Sequence, residues 1–209
     1  MNILTSKFFY LNSKIYDNRI SKVDNKDLYL VIALCGHEVN SIGSVFFNDT
    51  EITTSQIDGS GNVTSGTFSG KAQIIKHLGS STQTVDTVLD SASTVWTSNH
   101  RLRGIAYLMV KLTYETDVFP NGIPNISAVI EGKKILNVST SATAYSNNPA
   151  NIIYNYLTSS DGLGASTSEI DLASFQQARA DCDDSISITG GTQSRYTCNG
   201  VIELNRKPV

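Results

Sequence analysis

Charge is scarce in this sequence. Asp, Glu, Lys and Arg make up only 17% of its 209 residues, and the net charge is −3. No long basic run occurs, which argues against a nucleic-acid partner on electrostatic grounds. No apolar run reaches about 18 residues, so no membrane span is expected. The opening MNILTSKFFYLNSK lacks an apolar segment followed by a small-residue cleavage site, the mark of a secretory signal. Synthesis and folding in a cytoplasm are therefore expected. Cysteine is nearly absent. Cys35, Cys182 and Cys198 cannot make a complete disulfide set, and no Cys or His pair has zinc spacing. Three reduced thiols acting as small hydrophobes are expected, with a Cys182–Cys198 bridge as the alternative.

Motifs that carry catalysis are missing too. His37-Glu38 opens like a zinc-protease helix, but position 41, where the second histidine belongs, is Ser41. A hydrogen-bonded structural histidine is the better reading of His37, and His77 and His100 stand isolated. Asp181, Asp183 and Asp184 cluster without the calcium-loop pattern and read as a solvated helix end. There is no nucleophile elbow and no phosphate-binding loop. Gly59-Ser60-Gly61 and Gly190-Gly191 are turn chemistry. No catalytic, cofactor-binding or metal-binding residue is assigned, no cofactor is expected, and the chain is expected not to be an enzyme. With aromatics at 8% and a single Trp, the signal for a glycan-binding sheet face is thin.

What is present is β-pattern. From Gly104 to Tyr114, Ala106, Leu108, Val110, Leu112 and Tyr114 alternate with Ile105, Tyr107, Met109, Lys111 and Thr113. The first half is apolar on both faces and belongs inside a sheet, whereas Lys111 and Thr113 open one face to water. Ile126, Ala128 and Ile130 form a second strand. Between the two lies a loop with Pro120, Gly122 and Pro124, stiff by composition. Leu28–Cys35 is apolar on both faces and reads as a central, fully buried strand. Val45–Phe47 and Glu51–Thr53 flank Asn48-Asp49 as a hairpin. Ala72–Leu78 reads as a strand, Thr84–Ala92 as a short helix, and residues 55–70 as a surface hairpin or mobile loop. Lys7–Tyr16 is a possible strand, followed by a turn at Asp24–Asp27.

The character changes after Leu136. Residues 139–146 read as a loop. Asn148-Pro149 starts a helix, with Asn148 as cap and Pro149 at the first helical position. Its apolar stripe is read as Ile152, Ile153, Tyr156 and Leu157, and Gly162 and Gly164 end it. Asp171 caps a second helix whose face is Leu172, Phe175, Ala178 and Cys182. Residues 185–195 read as a polar loop and Tyr196–Leu204 as a last strand. Strands first and helices after give an α+β fold. It is expected to be β-rich, a sandwich or barrel-like sheet with the two C-terminal helices packed on it. The expected domains are 1–138, β-rich, and 139–209, helical or α+β, with a weak boundary near 137–147.

Four motifs in order resemble one family. They are Ala33–Val39 followed by Phe46–Asp49; His100–Leu108 with Asp117–Lys134, which carries Phe119-Pro120-Asn121-Gly122-Ile123-Pro124-Asn125; Ala144–Ala150 followed by Tyr156-Leu157 and Gly162–Gly164; and Arg195–Val201. Together they resemble the hub, or tip attachment, proteins at the end of long non-contractile phage tails, the lambda-type host-specificity protein J and its prophage relatives. The resemblance runs from about Leu28 to Asn205. One departure follows Lys134, where many relatives carry an Asp-Pro-Arg loop and this chain has Ile135-Leu136-Asn137-Val138. The chain also begins and stops inside the plan of the full hubs. The resemblance implies a structural, non-enzymatic component of a virion tail tip, made in a bacterial host cytoplasm. Its partners would be other hub copies, trimeric in the full-length hub, and neighbouring tail tip proteins. The isolated chain is expected to be a monomer. The alternative is a tail-associated glycan-binding or wall-degrading module.

Overall fold

A computed structural model describes residues 26–199. The fold is α+β and β-rich, with ten strands and three α-helices among the described residues. The chain divides into two compact units between Gly132 and Lys133.

The first unit contains two antiparallel sheets. In one, β5 (Ala106–Thr113) lies between β1 (Asp27–Cys35) and β4 (Ala72–His77). In the other, β2 (Ser41–Phe47) lies between β3 (Thr50–Ile52) and β6 (Ile126–Glu131). The alternation along β5 decides the layering. Ala106, Leu108, Val110 and Leu112 enter one core with Val45, Phe47, Ile126, Ala128 and Ile130 of the other sheet. The two sheets thus share a core, the sandwich arrangement. Tyr107 and Met109 leave from the opposite face of β5 and join Leu89 and Trp96 in a second cluster. Leu89 belongs to α1 (Thr87–Ala92), which is capped by Asp86. At the end of that face, Lys111 and Thr113 both reach the Asp27 carboxylate. Burial pushes the Asp27 carboxyl up, but Thr113 and Lys111 outweigh it and hold it below its usual range.

Lys76 ties the two sheets at their polar margin. It shares the face of Ala72 and Ile74, and its Nζ donates to the Gly43 carbonyl at 2.5 Å. Gly43 lies where the β2–β6 register slips between Ile42 and Val45. Burial pushes the Lys76 amine below its ordinary value.

One strand expectation needs correction. The sequence places β1 at the centre of its sheet and fully buried. Among the described residues it lies at the edge, and all nine of its residues are half-buried. Apolar residues on both faces report that both faces are covered; they say nothing about ladder edges. The centre belongs to β5. The proline loop joins β5 to β6, and these lie in different sheets. Residues 55–70 form an ordered excursion. A 3-10 turn at Thr54–Gln56 and an Ile57–Val63 bridge bring Val63 and Phe68 into the core. The possible strand at Lys7–Tyr16 and the start of the turn at Asp24 lie outside the described residues.

The second unit starts with a hairpin of β7 (Lys134–Leu136) and β8 (Thr143–Tyr145), where residues 139–146 were expected to be loop throughout. Then come α2 (Pro149–Thr158), α3 (Leu172–Asp183) and a hairpin of β9 (Ser185–Ile188) and β10 (Gly191–Ser194). That last hairpin replaces the expected polar loop; backbone pairing across Gly190-Gly191 needs no apolar alternation. Both helix starts follow the sequence. The Asn148 side chain accepts from the Ala150 amide, Pro149 opens α2, and Asp171 accepts from the Ala173 and Ser174 amides.

The buried faces differ from expectation. On α2 the buried residues are Ala150, Asn151 and Tyr154, while Ile153 is 51% exposed and Tyr156 39%. Asn151 is tolerated inside because its amide is satisfied, accepting from the Val138 amide and donating to the Ser146 hydroxyl. On α3 the inner residues are Phe175, Arg179 and Cys182; Leu172 and Ala178 are exposed. Tyr154 and Phe175 meet edge-to-face at 5.4 Å. Tyr196–Asn199 is not strand, and the rest of the expected last strand lies outside the described residues.

Candidate functional site

Three places gather side chains that the sequence could not bring together. The first is the proline loop of the first unit. Phe119 is buried and stacks on Phe68 at 5.8 Å, and Phe68 meets Phe47 edge-on at 4.9 Å. The far end of the loop is latched to the β2–β3 turn. The Asn48 amide donates to the Asn125 carbonyl at 2.6 Å, and the Asn125 amide donates to Asn48 Oδ1 at 2.9 Å. Gly122 takes φ of +81°, a conformation that glycine reaches without a Cβ penalty. A loop held at both ends thus presents Ile123, half of whose surface is exposed. Pro120 and Pro124 restrict the unfolded chain more than the folded one. Replacing both with alanine is expected to lower stability by roughly 0.8–2 kcal/mol, from about 0.4–1 for each. An unchanged melting temperature would show that the loop is not a stiff element.

The second place is the excursion between β4 and β5. His77 Nε2 lies 2.6 Å from Asp86 Oδ2, and the Asp86 side chain is fully buried. Asp86 Oδ1 accepts from the Val88 and Leu89 amides. The His77 ring stacks on Tyr107, its cross-strand partner, at 4.2 Å. Burial, and behind it the Asp86 charge, pushes the Tyr107 hydroxyl well above its usual range. Gln83 organises the same excursion, accepting from the Gly79 amide and donating to the Arg101, Leu102 and Ile105 carbonyls. A histidine against a buried carboxylate also occurs in proton-transfer sites. Here the carboxylate is committed to a helix cap, which makes the pair a fastening of α1 to the sheet. Sequence reading missed it because His77 and Asp86 come from different elements, and because the helix was expected from Thr84, with Asp86 inside it, whereas it begins at Thr87 with Asp86 as its cap.

The third place is a pocket of about 210 Å³ in the second unit. Its wall is rich in asparagine, with Tyr145 at one side and the Arg179–Asp183 pair of α3 at another. Asn148 Nδ2 donates to the Arg179 carbonyl and to Asp183 Oδ1, fixing α2 to α3. The Tyr145 hydroxyl donates to Asn199 Oδ1 at 3.0 Å, and the Cys198 amide donates to the Asn147 carbonyl. Arg179 Nε is buried and has no hydrogen-bond partner.

The sequence's isolated candidates stay apart. His37 Nδ1 lies 3.0 Å from its neighbour's carbonyl, and His100 stacks on Trp96. Asp181 accepts from Gln177, Asp183 pairs with Arg179, and Asp184 pairs with Arg195. Among the described residues, no group of three or more His, Cys, Asp or Glu is placed to hold a metal ion. All three cysteines are free; Cys35 and Cys182 are half-buried and Cys198 is exposed. Burial pushes the Cys35 thiol up. No described helix is long and apolar enough to cross a membrane.

No family model matches the chain, and no curated protein matches it. Among solved structures, the chain is similar to one from the virion of a native gene transfer agent particle, at 20% identity and a TM-score of 0.37. That match covers 54% of this chain and spans 22% of the other.

Proposed function

We propose that the chain is a structural component of a phage or prophage tail tip, a peripheral domain of a tail hub that works by protein–protein contact. The observation that carries this reading is the run of four motifs in hub order, whose central member forms the loop pinned at Phe119 and Asn125. A rigid loop loses little entropy on docking, which suits a part whose task is association. The sandwich supplies a frame for that loop, and the low surface charge suits weak contacts rather than steering. Hub copies ring the tail axis head-to-tail, one patch meeting a different patch on the next copy. Flanking domains that hold three copies close raise the effective concentration and let such contacts close. The isolated 209-residue chain is therefore a monomer at micromolar concentration, and trimeric only within the full-length hub. Light scattering on the chain and cryo-electron microscopy of tail tips are the tests. A stable trimer of the isolated chain would show that this region drives assembly alone. Hydrolysis of peptidoglycan or capsule by the pure chain would overturn the structural reading.

A further inference from the structure

We propose that the asparagine-lined pocket of the second unit binds one neutral sugar ring. Its volume of about 210 Å³ is the space of roughly seven waters at about 30 Å³ each, a small ligand's room. Its chemistry selects the class. Arg179 Nη2 and Asp183 Oδ2 are 3.0 Å apart, so a cation's donors and a carboxylate's acceptors stand side by side with their charges compensated. A phosphate or carboxylate ligand would meet Asp183, and an ammonium ligand would meet Arg179. A hydroxyl both donates and accepts, so two adjacent hydroxyls on a ring satisfy both groups at once.

The wall is also set in advance. Asn148 and Asn151 are buried and locked by bonds to the Arg179 carbonyl, Asp183, Ser146 and Val138. Tyr145 is half-buried and lines the same wall, with its hydroxyl tied to Asn199. Such a site is independent of the proline loop and of hub assembly, so either reading can fail without the other.

The test is NMR titration of the full chain with glucose, galactose, mannose, rhamnose, N-acetylglucosamine and N-acetylgalactosamine. A single ring is expected to bind in the millimolar range. Shifts should be confined to Tyr145, Asn147, Asn151, Arg179 and Asp183 and their neighbours. Asp183→Asn keeps an oxygen for Asn148 but removes the charged acceptor, and should weaken binding about tenfold. Asn147 is exposed, so Asn147→Trp should obstruct the pocket without touching its buried bonds and abolish the shifts even where Asp183→Asn unfolds the unit. The proposal is overturned by no shift at about 100 mM of any sugar in the panel, by shifts unchanged in Asn147→Trp, or by phosphate or glucuronate binding more tightly than every neutral sugar.

Discussion

Asp86→Ala is expected to destabilise the first unit by about 2–4 kcal/mol, a large effect for a single residue in a segment remote from the shared core. Two losses combine. The cap on α1 disappears, since Oδ1 accepts from the Val88 amide at 3.0 Å and the Leu89 amide at 2.9 Å; a lost cap costs about 0.5–2 kcal/mol. The His77 bond disappears as well, a contact of 2.6 Å to a fully buried carboxylate. Hydrogen bonds to charged groups contribute about 1.5–3 kcal/mol. The two are coupled through one side chain, so the sum is an upper range. Asp86→Asn separates them: its amide oxygen still caps α1, while its NH₂ faces a histidine nitrogen that must then accept. It should recover the cap but not the full bond. Trp96 is packed with Leu89 in the cluster beneath this excursion, so its fluorescence reports the undocking. Urea unfolding of the three proteins gives the comparison. An alanine variant within about 0.5 kcal/mol of the parent would mean that the excursion is held by Gln83 and packing alone.

That fastening marks the limit of what the sequence showed. The strands with strict alternation were legible: β5 divides its residues between two clusters as its period of two requires, and β6 buries Ile126, Ala128 and Ile130 in the shared core while Ser127, Val129 and Glu131 stay outside it. The helix starts at Asn148-Pro149 and Asp171 were legible because a cap is a local, chemical signal. What was not legible depends on partners distant in sequence. Leu28–Cys35 has the composition of a central strand but lies at an edge among the described residues. The inner face of α2 uses Asn151, which no apolar pattern selects, because the Val138 amide and the Ser146 hydroxyl were unknown until the fold supplied them. The pocket was hidden for the same reason. Its residues come from β7, β8, the start of α2 and the end of α3, and each alone reads as loop or solvated surface.

Gly79 and Gly104 separate two costs that are usually measured together. Both have positive φ, +84° and +77°, and the Gly104 amide donates to the Gly79 carbonyl at 3.1 Å. An alanine at either position pays the left-handed backbone penalty of about 1–2 kcal/mol. Only at Gly79 does the added Cβ collide. It would meet the Ala106 nitrogen at 2.7 Å, the Ile105 carbonyl carbon at 2.9 Å and the His37 carbonyl oxygen at 3.1 Å, whereas a Cβ on Gly104 would meet open space. All three neighbours are backbone, and Ala106 begins the central strand, so none can turn aside as a side chain would. Relieving the clash means shifting Ala106 or breaking the bond from the Gly79 amide to Gln83 Oε1 at 2.8 Å. Forced shifts in a packed interior cost about 1–3 kcal/mol. Gly79→Ala is therefore expected to cost about 2–5 kcal/mol in total and Gly104→Ala about 1–2. The difference between their denaturant midpoints, at equal slope, measures the steric part alone. Equal losses at the two positions would mean that the start of β5 yields to Gly79 freely and that the junction with β4 is not the rigid corner its close backbone contacts indicate.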